Sequence, residues 1–289
     1  MDTMITFTDN NLSNNFLSEE ELREICPMAF KEAPTNPKVS DRYVQANTMT
    51  VVRDLAKMGW YPVQAKQCRT RKNSSGIHSF HMIAFQNPDV RIEKNTDDGT
   101  VIDTWPRIIL TNSHDGFNSF KFMVGLFRTI CSNGLIIGSD EMVNMSIRHI
   151  NYTFEALRVV VRDAIAMVPQ IVSKMNTMRL ITLSEDDQVA IATEVERIRR
   201  DIDTKTEFVP EKEVINDILA PVRDEDKGSD LWSVFNRCQE KMIKGGYYKR
   251  NPNNKYRKQR RITSIKKDID YNQRLWDFVS RLVPAEVEA

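Results

Sequence analysis

Apolar positions along the chain keep two different periods, and the switch between them divides it. Val44, Thr48, Val51, Leu55 and Met58 follow one another at steps of 4, 3, 4 and 3, which lays one stripe along a helix closing at Gly59. Before it, Leu17-Ser18-Glu19-Glu20-Glu21-Leu22 predicts a helix start in which Ser18 caps, Glu21 completes a capping box and Leu17 staples to Leu22, with Pro27 stopping the helix early. From Trp60 the pattern is that of extended chain. Residues 60–71 and 77–86 are predicted as a hairpin joined by Lys72-Asn73-Ser74-Ser75-Gly76, residues 104–112 and 120–132 as further strands, and 134–138 as a short fifth. Helical spacing then returns. Phe154, Leu157, Val161, Ile165, Val168, Val172 and Met175 predict one long helix lying across the sheet, kinked or split at Pro169. Ser184 with Glu185-Asp186-Asp187 caps another, whose Ile191, Val195, Ile198 and Ile202 face one way. Leu231, Phe235, Cys238 and Met242 mark a third, and residues 268–283 a last one carrying Leu275, Trp276, Val279 and Leu282.

Helix, antiparallel sheet, long helix and helical second half do not alternate as a parallel fold requires. The expected class is α+β: an antiparallel β-meander of about four to five strands with a long helix across it, followed by a mainly helical C-terminal half. Pro34 and Pro37 mark a linker. The expected organisation is a polar leader with a short helix over 1–37, an α+β core domain over 38–183, a helical region over 184–240, a basic loop segment over 241–267 and a C-terminal helix over 268–289.

Composition narrows the partners. With 289 residues and 40% hydrophobic content the chain buries a core, and no run reaches the roughly 18 to 20 apolar residues of a membrane span. The polar start lacks the basic and apolar stretches of a secretory signal, so the host-cell cytoplasm is the expected location. The scattered Cys26, Cys68, Cys131 and Cys238 are expected to be free thiols. The net charge of +1 conceals an asymmetry: residues 241–267 hold eleven Lys or Arg and no acid, leaving 30 against 40 elsewhere.

Phosphate-cradling glycine motifs, the nucleophile elbow and the H-E-x-x-H zinc helix are all absent from the sequence. A metal set of Cys68, His78 and His81 fails on spacing, because two strand residues three apart point to opposite faces. No metal or other cofactor is expected. The turn Thr111-Asn112-Ser113-His114-Asp115-Gly116 places a histidine beside a carboxylate, which suits a general base or a ligand contact. It also suits turn building through local side-chain bonds. Arg128, in an otherwise apolar strand, either pairs with an acid such as Asp115 or faces a groove, where Asn112, His114, Asp115 and Asn133 would line the same place.

The basic segment carries the most pointed signal. Lys249, Arg250, Lys255, Arg257, Lys258, Arg260 and Arg261 are interleaved with Tyr247, Tyr248 and Tyr256. Cations meet phosphates and aromatic rings meet unstacked bases. A smaller cluster, Lys66, Arg69, Arg71 and Lys72, lies on the first hairpin and would add to the same surface.

The run from Thr111 to Gly138, with its Thr-Asn-Ser-His-Asp-Gly turn, Gly-Leu-Phe-Arg and Cys-Ser-Asn-Gly, resembles a family of uncharacterised phage- and plasmid-encoded proteins known only as a domain of unknown function. The likeness extends from about Val44 to Asp268-Ile269-Asp270-Tyr271-Asn272 and Leu275-Trp276. It implies a mobile-element origin and an accessory role in DNA metabolism, and brings no catalytic residues with it. In element order the chain is also similar to the core of single-strand annealing recombinases, a fold analogy that implies rings or filaments on single strands. The resulting expectation is a non-enzymatic binder of single-stranded nucleic acid that self-associates and holds strands for annealing in recombination or replication. The alternative is a protein-protein interaction factor that counters a host defence or restriction system through a host protein partner; neither reading involves a membrane.

Overall fold

The computed structural model describes residues 3–6, 16–31, 47–68, 80–94, 104–113, 120–128, 134–137, 146–147, 152–250 and 255–284. The chain forms two compact units, Met1–Pro169 and Gln170–Ala289.

In the first unit, α1 (Glu19–Ile25) starts at Ser18, whose hydroxyl accepts from the Glu21 amide while the Glu21 carboxylate accepts from the Ser18 amide. The expected capping box is present. A single 3-10 turn over Pro27–Phe30 follows, since proline fits the first turn of a helix but not its interior. The second helix, α2 (Thr48–Lys57), is capped by Asn47 and ends at Gly59, whose φ of +79° suits glycine. Strands β1 (Thr3–Thr6), β2 (Tyr61–Gln67), β3 (His81–Gln86), β4 (Arg91–Lys94), β5 (Thr104–Asn112), β6 (Phe120–Arg128), β7 (Gly134–Ile137) and β8 (Ser146–Ile147) form one antiparallel sheet. Its body runs β2-β3-β5-β6, with β7 and β8 sharing the far edge of β6.

The meander is the expected one, and β1 and β4 are additions to it. Residues 3–6 fall in what reads as polar leader, yet they pair with 91–94 in register from Thr3 with Lys94 to Thr6 with Arg91. Leu22, Val51, Leu55, Trp60, Ile83, Phe85, Ile108, Leu110, Phe122, Leu157 and Val161 fill one core, which packs α1, α2 and α3 (Phe154–Ala166) on the sheet. The predicted long helix is split: α3 stops at Met167, and Pro169 is the second residue of α4 (Val168–Leu180).

The second unit is helical, with α5 (Glu185–Arg199), α6 (Lys212–Leu219), α7 (Leu231–Lys244) and α8 (Ile265–Ser280) around Val195, Ile198, Val214, Phe235, Leu275 and Trp276. The Asp268-to-Asn272 motif proves partly internal. Asn272 donates to the Asp268 carboxylate at 3.0 Å and accepts from Gln239 at 2.8 Å, tying α8 to α7. The α+β class holds. No helix among the described residues is long and apolar enough to cross a membrane.

Cys26 and Cys238 are buried, and burial pushes each thiol up to about 12. At neutral pH both stay protonated and shielded. Alkylation of the native protein with iodoacetamide, mapped by mass spectrometry, is therefore expected to leave Cys26 and Cys238 unmodified until denaturant is added.

Candidate nucleic-acid interface

The basic segment is not a loop. Helix α7 occupies it to Lys244, α8 claims it from Ile265, and between them β9 (Tyr248–Arg250) and β10 (Tyr256–Lys258) pair as an antiparallel hairpin. Glycines make the exit from α7. Gly245 has φ +68° and a Cβ there would collide with the Gln259 carbonyl, while Gly246, at φ +93°, donates its amide to that carbonyl at 2.9 Å. The glycines that read as loose backbone are the close approach that seats the hairpin. Two further bonds close it: the Gln259 amide to the Tyr247 carbonyl at 2.7 Å, and the Ile262 amide to the Ile243 carbonyl at 2.8 Å.

Register decides which side chains share a face. Tyr256 stands opposite Arg250, Arg257 opposite Lys249 and Lys258 opposite Tyr248. Side chains alternate along a strand, so Tyr248, Arg250, Tyr256 and Lys258 form one face, and Tyr247, Lys249 and Arg257 the other. The first face is open: Tyr248 is 52% and Tyr256 54% exposed. On it the Arg250 guanidinium lies 5.0 Å from the centre of the Tyr256 ring and donates to its hydroxyl at 3.0 Å. Arg257, Lys258, Arg260 and Arg261 are exposed, as is Lys255.

On the other face Tyr247 and Lys249 turn to the underside, while Arg257 stays exposed. Tyr247 is 1% exposed and donates its hydroxyl to Glu196 at 2.6 Å, so it is not a platform for a base. That correction has a physical cause: a buried carboxylate on α5, 51 residues upstream, claims the phenol. Lys249 is half-buried 3.9 Å from the same carboxylate, and burial holds its ammonium below the usual lysine range. Arg200 closes on Glu196 at 2.6 Å. Arg199, also buried, donates to the Met242 carbonyl at 2.7 Å and to the Arg260 carbonyl. Glu196, Arg199 and Arg200 therefore hold the hairpin from α5. Sequence reasoning missed all three, though the triplet of charges beside the Val195 and Ile198 stripe was their signal.

The remaining expected residues belong to the first unit. Arg69, Arg71, Lys72, His114, Asp115 and Asn133 lie outside the described residues, and of Arg128 only the backbone is described, paired opposite Thr104 at the end of β6. Asn112 is fully buried and faces inward, so it lines no groove. Its side-chain amide donates to the Thr48 hydroxyl at 2.9 Å, and that hydroxyl lies 3.0 Å from His81 Nε2. One hydroxyl thus joins the Asn112 side chain to the His81 ring. Asn112 also accepts from the Ser113 amide at 2.8 Å. This end of the turn is a polar peg fastening β3 and β5 to the start of α2. Among the described residues no three His, Cys, Asp or Glu side chains come together as a metal site.

Residues 37–276 match the family described as Domain of unknown function (DUF932). The chain is similar to UPF0380 protein YafZ and UPF0380 protein YfjQ of Escherichia coli (strain K12), 28% identical to each over 269 residues that cover 92% of this chain and 92% of each relative. No solved structure matches it.

Proposed function

The chain belongs to the DUF932 family, and from that premise we propose that it is a non-enzymatic, single-strand-favouring nucleic-acid binder of phage or plasmid origin, which holds strands for annealing. One observation carries the reading: the open hairpin face sets two half-exposed tyrosine rings beside Arg250 and Lys258 on a backbone anchored from below. Cations placed this way neutralise phosphates, and exposed rings accept splayed bases whatever their identity. Anchoring lowers the entropy that a bound strand must offset, because the platform is ordered before the strand arrives.

Fluorescence anisotropy with a labelled oligo-dT tests this on the full chain. Tyr248→Ala and Tyr256→Ala are each expected to weaken binding by about 1 to 3 kcal/mol while leaving the salt slope nearly unchanged, since a ring releases no counterions. Absence of binding by the parent protein at low salt defeats the proposal. Annealing also asks for self-association, which the mass in solution with and without the oligonucleotide reports in the same titration.

A further inference from the structure

The hairpin has two unlike flanks. The peptide unit joining Tyr247 to Tyr248 points its carbonyl at Gln259, on the β10 side, and its N–H the other way, to the Asp217 carboxylate at 3.4 Å. Beyond β9 therefore lies α6. Val214, Ile215 and Ile218 bury the inner face of that helix, Glu213 is exposed one turn before Asp217, and Glu211 is its N-cap residue. Arg250 registers these acids: its guanidinium is held above the ordinary arginine range first by the Tyr256 hydroxyl, with Glu211 and Glu213 adding to the effect. The opposite flank carries Lys255, Arg257, Lys258, Arg260 and Arg261, all exposed. A cationic edge and an anionic edge bound one narrow aromatic face.

Resting on the nucleic-acid reading above, we propose that the α6 carboxylates Glu213 and Asp217 make this face selective for single strands by repelling the second backbone of a duplex. A single strand has one backbone, bends freely and lies along the cationic edge with its bases on Tyr248 and Tyr256. A duplex doubles the charge per length, about one per 1.7 Å of axis against one per 3.4 Å for each strand. It is also stiff over about 50 nm, so it cannot curl its far backbone away from α6. Discrimination of this kind comes from a built-in repulsion as much as from attraction.

The test compares a labelled oligo-dT with a labelled mixed-sequence duplex of the same length, both at low salt, where exposed charges act over the longest range. Glu213→Gln with Asp217→Asn is expected to raise duplex affinity about three- to tenfold and single-strand affinity by less than about twofold. Glu213→Gln alone, at an exposed position with no packing role, is expected to give part of the same gain and guards against a folding defect. Equal gains on both nucleic acids, or none on the duplex, overturn the selectivity while leaving single-strand binding standing. A parent protein that binds neither overturns both.

Discussion

Changing Arg257, Lys258, Arg260 and Arg261 together to Ser is expected to flatten the log-log salt dependence of single-strand binding by about 0.7 for each phosphate no longer neutralised, up to about 2.8 for all four. The weakening is largest at low salt, where counterion release contributes most. The fold should survive it, because these side chains are exposed and the bonds that seat the stretch, including the one from Arg199 to the Arg260 carbonyl, go to its main chain, which serine retains. Anisotropy titrations over a series of salt concentrations read both affinity and slope. An unchanged slope would mean that the cations only solvate the hairpin and that the proposed function fails at this surface. Together with the tyrosine variants this separates charge from stacking: the serine variant moves the slope, and Tyr256→Ala moves the intercept alone.

The parts of the structure legible in the sequence are those whose cause is local. The capping box at Ser18 and Glu21 is written in four consecutive residues, and the body strands of the sheet are long enough to show an extended pattern. The split at Pro169 follows from its missing N–H. Strands β1, β4, β9 and β10 have four residues or fewer, too short for a period to register; β1 and β4 exist because they pair across a long separation, and β9 and β10 because they pair with each other. Helix α6 was invisible for the same reason, eight residues with Val214, Ile215 and Ile218 as its whole apolar face. At the candidate interface, composition alone identified the basic, tyrosine-bearing stretch but not its shape. Tyr247 and Tyr248 are neighbours of one chemical type, and only strand alternation over Glu196 sends one down and leaves the other up. Asn112 misled in the opposite direction, since a polar residue at a strand end reads as groove lining until Thr48 and His81 are placed against it.

Replacing Glu196 by Leu is expected to cost about 3 to 5 kcal/mol of stability, the range for removing one partner from a buried charged set. The carboxylate is fully buried and is the point on which Tyr247, Arg200 and Lys249 converge. Leucine keeps the volume but leaves the Tyr247 hydroxyl with its acceptor gone and the half-buried Lys249 without the attraction that offsets its desolvation. Tyr247→Phe removes the phenol alone, while Glu196 keeps Arg200, so its expected cost is smaller, about 1 kcal/mol. Chemical denaturation of both variants and of the double variant measures the coupling, and costs that simply add would show that the hydroxyl and the carboxylate do not act together. Because the hairpin rests on this carboxylate, Glu196→Leu is also expected to weaken oligonucleotide binding without touching the strand itself, whereas Tyr247→Phe, which leaves the ring and the backbone seated, is expected to bind like the parent. A Tyr247→Phe variant that lost affinity as Tyr256→Ala does would return Tyr247 to the binding face and contradict its placement beneath the hairpin.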